Sequence, residues 1–179
     1  MLNKIRHSLP NLLTFINLSL GIISLLFAIK NDLIQASLLV MVAALTDRFD
    51  GKVARMLDST SELGKELDSL SDLISFGVAP IIIAWKISFF HVGVIGYILA
   101  VIFPIAGAYR LARYNVTTFN NVFCGVPITI AGAFLSIANL YNCFELMRHN
   151  YSIINTILTG VIVVLLSYLM ISKIQIKKR

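Results

Sequence analysis

Cysteine, histidine and charge are all scarce in this chain, and each scarcity removes a class of protein. Two cysteines, Cys124 and Cys143, in 179 residues are too few and too far apart for a disulfide framework or a zinc site, and their apolar neighbours assign them to packing. The three histidines, His7, His91 and His149, share no spacing with one another or with any acid, so no catalytic role falls to them. Charged residues make up 13% of the chain against 58% hydrophobic, and the mean hydropathy is +0.84. A soluble domain with a solvated surface does not have that composition; the expected solvent is lipid. Ser/Gly/Pro linkers, charge blocks, low-complexity runs and internal repeats are also missing, so residues 1–179 read as one domain. No basic-aromatic surface suited to nucleic acid is present.

What is abundant is apolar sequence in long stretches. Hydrophobicity marks six helices, near residues 10–30, 33–56, 65–86, 88–112, 124–146 and 151–172, each long enough or nearly so for the roughly 20 residues that span a bilayer. The first stretch, from Leu12 to Ile29, runs without a charge. It has no small-residue cleavage site behind it and five further spans follow, so it reads as a spanning helix and not a removed signal. Before it, Lys4, Arg6 and His7 alternate with Leu2, Ile5 and Leu9, a pattern that suits a short interfacial helix on anionic headgroups; a frayed tail is the competing reading. The expected fold is therefore an all-α integral membrane protein of six transmembrane helices with a short N-terminal interfacial helix.

An even number of spans puts both termini on one side, and the net charge of +6 is unevenly placed. Lys4, Arg6, Arg48, Lys52, Arg55, Lys65, Arg110, Arg113, Lys173, Lys177, Lys178 and Arg179 fall on one face, and only Lys30, Lys86 and Arg148 on the other. By the positive-inside rule the termini are cytoplasmic, and a multi-pass protein of the cytoplasmic membrane is expected.

Acids then break the apolar pattern. Asp47, Asp50, Asp68 and Asp72 stand at the cytoplasmic ends of helices 2 and 3, and ionisable residues within spanning segments are functional candidates by default. At about 100° per residue, Asp47, Asp50, Gly51, Ala54 and Arg55 share one face of helix 2. Asp68 and Asp72 stack one turn apart on helix 3, with Gly64 one turn earlier, so the two faces can meet across a tight hairpin. Carboxylates gathered in this way repel by about 4 kcal/mol per pair at 4 Å and an effective dielectric near 20, so a cation must sit between them. All-oxygen ligands without His or Cys select hard cations, Mg²⁺ or Mn²⁺, and acids on several turns can bridge two ions. Gly51, Ala54 and Gly64 leave the shared face without bulk, open either to close helix packing or to a flat nucleotide.

These residues spell Asp47-x-x-Asp50-Gly51-x-x-Ala54-Arg55, eight residues, then Gly64-x-x-x-Asp68-x-x-x-Asp72. The pattern resembles the signature of the CDP-alcohol phosphatidyltransferase family at every fixed position and in both spacings. Around it, Pro10-Asn-Leu-Leu-Thr14, Asp68 to Pro80, Arg110-Leu-Ala-Arg-Tyr-Asn-Val116 and Phe123-Cys-Gly-Val-Pro127 resemble the prokaryotic, serine-using branch, the phosphatidylserine synthases. Thr129 departs from it, where such members usually carry a second proline.

The resemblance implies a reaction and an assignment of residues. Two divalent metals, Mg²⁺ or Mn²⁺, bound by Asp47, Asp50, Asp68 and Asp72, hold the diphosphate of CDP-diacylglycerol, and Asp72 accepts the proton of the attacking hydroxyl. Pro10, Asn11, Thr14, Gly51, Ala54, Arg55 and Ser61 border the nucleotide-lipid. For Asn11 and Thr14 helix capping competes, and for Arg55 anchoring at the membrane surface. Arg110, Arg113 and Asn115 are implied on the acceptor side, where L-serine brings a carboxylate; charges that only set topology are the rival reading. A homodimer is implied by the family alone. Two other functions stay open: the same chemistry with glycerol 3-phosphate or inositol phosphate, and a divalent-cation transporter, which the absence of polar groups continuing through the other helices disfavours.

Overall fold

The computed structural model describes the backbone of residues 2–56, 61–116, 122–173 and 175–177, and side chains over 11–49, 61–116 and 125–173. Among the described residues six helical rods follow one another: α1 (Leu2–Ile29), α2 (Leu33–Met56), α3 (Glu62–Phe89), α4 (Val94–Val116), α5 (Ile128–Met147) and α6 (Ile153–Ile171). Two short strands, β1 (Val122–Cys124) and β2 (Gln175–Lys177), pair antiparallel with Phe123 opposite Ile176. The N-terminal segment is helical as expected, but it runs straight into the first span as one 28-residue helix.

Five of the rods are long and apolar enough to cross a membrane; α2, at 24 residues, is long enough but carries Asp47, Arg48, Asp50 and Lys52 in its last turns. The burial pattern is that of a chain dissolved in lipid. Large apolar side chains such as Leu12, Phe15, Leu45, Ile105, Ile130 and Val161 face outward, while Thr14, Asn17, Ser71, Asp72, Arg110, Ser136 and Asn139 are buried. In water that arrangement is unfavourable; in a bilayer it hides polar groups from hydrocarbon and leaves apolar surface where it costs nothing. The protein is thus an all-α membrane protein.

Helix α3 is the central rod, packed on α1, α4 and α5, and it is not a uniform α-helix. It is α-helical from Glu62 to Asp72, widens to π-helix over Leu73–Val78, returns to α-helix over Ala79–Ala84 and widens again over Trp85–Phe89. Pro80 supplies a cause for the first widening, since it has no N–H for the carbonyl of Phe76. The neighbour accommodates the bulge: a Cβ on Gly132 of α5 would stand 2.5 Å from the Phe76 oxygen and 2.7 Å from its Cα. Asn139, two turns further along α5, donates to the Pro80 carbonyl at 2.8 Å. Gly132→Val is therefore expected to lower the melting temperature of the detergent-solubilised protein through about 1–3 kcal/mol of overpacking.

The rods are tied at both ends. At the end away from the acids, the Lys86 ammonium donates to the carbonyls of Ala28 and Ile29 at 2.6 and 3.1 Å, a cation at a helix C-terminus. The turn from α1 to α2 closes with Asn31 at φ 67, a left-handed position that asparagine tolerates.

Candidate metal and transfer site

The site forms where α2, α3, α1 and α4 converge. Asp47 comes from α2, and Asp68 and Asp72 come from successive turns of α3. One carboxylate oxygen from each lies within 4.8 Å of the other two. Three carboxylates at that separation, one of them on a residue only 8% exposed, repel one another when ionised, and a cation between them would offset this. The donor set is all oxygen and fits a hard divalent ion; these residues can hold a metal.

Each neighbour contributes a distinct element. Ser61 is the N-cap of α3, with an extended backbone at φ −116 and ψ 152, and its hydroxyl accepts from the Gly64 N–H at 3.0 Å. That cap fixes where α3 begins, and so the rotation that sends Asp68 and Asp72 to the same side. Asn11 of α1 borders the same corner: a Cβ on Gly64 would lie 3.1 Å from its Oδ1. Thr14 is buried and its carbonyl accepts from Ser71 at 3.1 Å. Arg110 of α4, 8% exposed, lies close enough to Asp72 for their charges to interact, and its Nε–H has no hydrogen-bond partner among the described residues.

The other expected acceptor-side residues are engaged in tying helices together. The Arg113 guanidinium donates to the carbonyls of Ile171 and Ser172 at 2.9 and 3.3 Å, closing the C-terminus of α6. Gly125 reaches the same helix end at φ +80, where a Cβ would stand 2.5 Å from the Met170 oxygen, and Val126 N–H donates to the Leu169 carbonyl at 3.2 Å. Asn115 donates to Glu66 Oε1 at 3.1 Å and to Ser69 Oγ at 3.0 Å, so it joins the end of α4 to the first turns of α3. Pro10 lies in α1, and Asp50, Gly51, Ala54 and Arg55 continue α2 as helix; their side chains lie outside the described residues.

One residue at the site was not singled out by sequence. Asn17 is 1% exposed and its Nδ2 donates to Asp72 Oδ1 at 3.4 Å. The signal was present in the spacing: Asn11, Thr14 and Asn17 recur every three residues and share a helix face in an otherwise apolar run.

The sequence model of the CDP-alcohol phosphatidyltransferase family matches residues 7–172. A Helicobacter pylori protein named CDP-diacylglycerol–serine O-phosphatidyltransferase is 36% identical over 162 residues, 87% of this chain and 68% of that protein. A Bacillus subtilis protein of the same name is 32% identical over 168 residues, 93% of this chain and 88% of the relative. An archaetidylserine synthase of Methanothermobacter thermautotrophicus is 37% identical over 134 residues, 72% of this chain and 56% of its own length. With its acids on two adjoining helices and this likeness running along nearly the whole sequence, the chain belongs to the CDP-alcohol phosphatidyltransferase family.

Proposed function

We propose that this protein transfers the phosphatidyl group of CDP-diacylglycerol to the hydroxyl of L-serine, giving phosphatidylserine and CMP. The observation that carries the reading is the carboxylate triad of Asp47, Asp68 and Asp72, with the buried guanidinium of Arg110 within electrostatic range of Asp72. Relatives named for the serine reaction cover most of the chain.

Asp47, Asp50, Asp68 and Asp72 hold two divalent ions, Mg²⁺ or Mn²⁺, which supply neutralisation of charge on the diphosphate and on the departing CMP. Asn11, Thr14, Gly51, Ala54, Arg55 and Ser61 line the nucleotide-lipid side with Pro10. Arg55 offers a planar fork to the diphosphate, and Gly51 lets the nucleotide approach the backbone. The serine oxygen attacks the phosphorus that carries diacylglycerol, and a new P–O bond forms. The bond from that phosphorus to the CMP oxygen breaks, and CMP leaves with the electron pair. Asp72 takes the hydroxyl proton. Arg110 takes the serine carboxylate, because it is a buried cation within electrostatic range of Asp72 and its Nε–H is not already committed within the described residues. Arg113 and Asn115 support that side through the helix ends they join. The active site and both termini face the cytoplasm, in the cytoplasmic membrane.

The test is CMP release by the purified protein with CDP-diacylglycerol and Mg²⁺ or Mn²⁺. Serine is expected to support release, and glycerol 3-phosphate and inositol phosphate are not; release with one of those alone overturns the acceptor assignment. Arg110→Gln is expected to raise the KM for serine far more than the KM for CDP-diacylglycerol. Arg113→Ala instead lowers the melting temperature by removing charged hydrogen bonds to carbonyls, about 1.5–3 kcal/mol, with a smaller change in the serine KM.

A further inference from the structure

We propose that Asn17 is a positioning residue for the transfer reaction, holding the carboxylate of Asp72 in the orientation that metal binding and proton acceptance both require. The inference rests on the proposed function for the role of Asp72, and on the geometry of α1 and α3 for everything else.

Asp72 is the last α-helical residue before α3 widens at Leu73, so the usual i, i+4 geometry does not by itself fix what surrounds its side chain. Helix α1 does. The hydroxyls of Ser71 and Ser75, on either side of Asp72 in the chain, donate to the carbonyls of Thr14 and Asn17 at 3.1 and 3.0 Å. Close approach is possible because Gly21 faces Ser75, whose Cα would lie 2.8 Å from a Cβ there. With α1 and α3 pinned in that register, Asn17 Nδ2 reaches Asp72 Oδ1 at 3.4 Å.

A carboxylate has about four lone-pair sites on two oxygens, and an amide N–H on Oδ1 distinguishes the two. Packing alone does not explain the amide. The Asn17 Oδ1 is buried and has no hydrogen-bond partner among the described residues, a cost that leucine, with the same branching and heavy-atom count, avoids. What the asparagine adds over leucine is the donor to Asp72. Partners that orient a metal ligand in this way typically contribute 10- to 100-fold in metal affinity or activity.

The experiment compares Asn17→Leu and Asn17→Asp with the wild type in the full-length protein in detergent. It reads kcat and KM for CMP release and, without substrates, the Mn²⁺ concentration that gives half of the metal-induced rise in melting temperature. Asn17→Leu removes the donor; kcat is expected to fall by about 10- to 100-fold at a little-changed KM for CDP-diacylglycerol, and the Mn²⁺ midpoint to rise. Asn17→Asp also loses the donor but adds an anion, so kcat falls while the Mn²⁺ midpoint moves the opposite way, to lower concentration. A structural asparagine predicts lower melting temperatures in both variants at an unchanged Mn²⁺ midpoint. That result, or midpoints that shift together, or a wild-type kcat in Asn17→Leu, overturns the proposal. If the wild type releases no CMP with serine, the proposed reaction fails, and the substrate-free Mn²⁺ midpoints still decide whether Asn17 orients the site.

Discussion

Asp72→Asn is expected to lower kcat for CMP release by about 10²- to 10⁴-fold, the usual contribution of a positioned base, in a protein that still inserts and folds. The substitution is nearly isosteric, so the hydroxyl contacts of Ser71 and Ser75 with α1 remain. What is lost is an oxygen able to accept a proton beside the acids of α2 and α3. Because Asp72 is also a proposed metal ligand, the variant must be assayed at saturating Mn²⁺, where a simple affinity defect is masked. Single-turnover CMP release under those conditions separates the two roles. A variant within about tenfold of the wild type there would assign proton acceptance to another group.

Asp47→Asn is expected to change activity and stability in opposite directions. Asp47, Asp68 and Asp72 place oxygens within 4.8 Å of one another, and each pair repels by about 4 kcal/mol at 4 Å and an effective dielectric near 20. Neutralising Asp47 removes two of the three repulsive pairs, so in EDTA the variant should melt at a higher temperature than the wild type. With metal present the wild type gains and the variant gains less. Turnover should drop by several kcal/mol of transition-state stabilisation, about 10³-fold. Chelation of the wild type should abolish CMP release, and added Mg²⁺ or Mn²⁺ should restore it. A variant less stable than the wild type in EDTA would mean that something other than a cation relieves the triad.

How legible each feature is in the sequence follows from the range over which its signal acts. Hydrophobic length located the rods, because bilayer thickness imposes it on every span, and the i, i+4 step from Asp68 to Asp72 put those two carboxylates on one face because that is local helix geometry, with Asp47 brought to them by the short hairpin between α2 and α3. Signals that depend on a neighbour were weaker. The widening of α3 at Leu73 involves Pro80, visible in the sequence, and Gly132, which is 52 positions further along and becomes meaningful only when α5 packs on α3. The fourth rod was expected from residue 88 and begins at Val94, because α3 continues to Phe89 and Gly93 at φ 68 makes the turn. The pairing of β1 with β2 was not anticipated, because each strand is three residues long and its partner is remote in the chain. Arg113 is an expected acceptor-side residue by its position in the motif, and its contacts with Ile171 and Ser172, almost 60 residues away in the chain, have no local signal.

The reading as a whole depends on cations held between α2 and α3, and direct titration of Mn²⁺ into the purified, substrate-free protein tests this most simply. Electron paramagnetic resonance counts the ions by loss of the free Mn²⁺ signal. Two bound ions per chain are expected in the wild type, and their loss in Asp68→Asn. A wild-type protein that leaves the free signal undiminished, or an Asp68→Asn variant that binds as the wild type does, would contradict it.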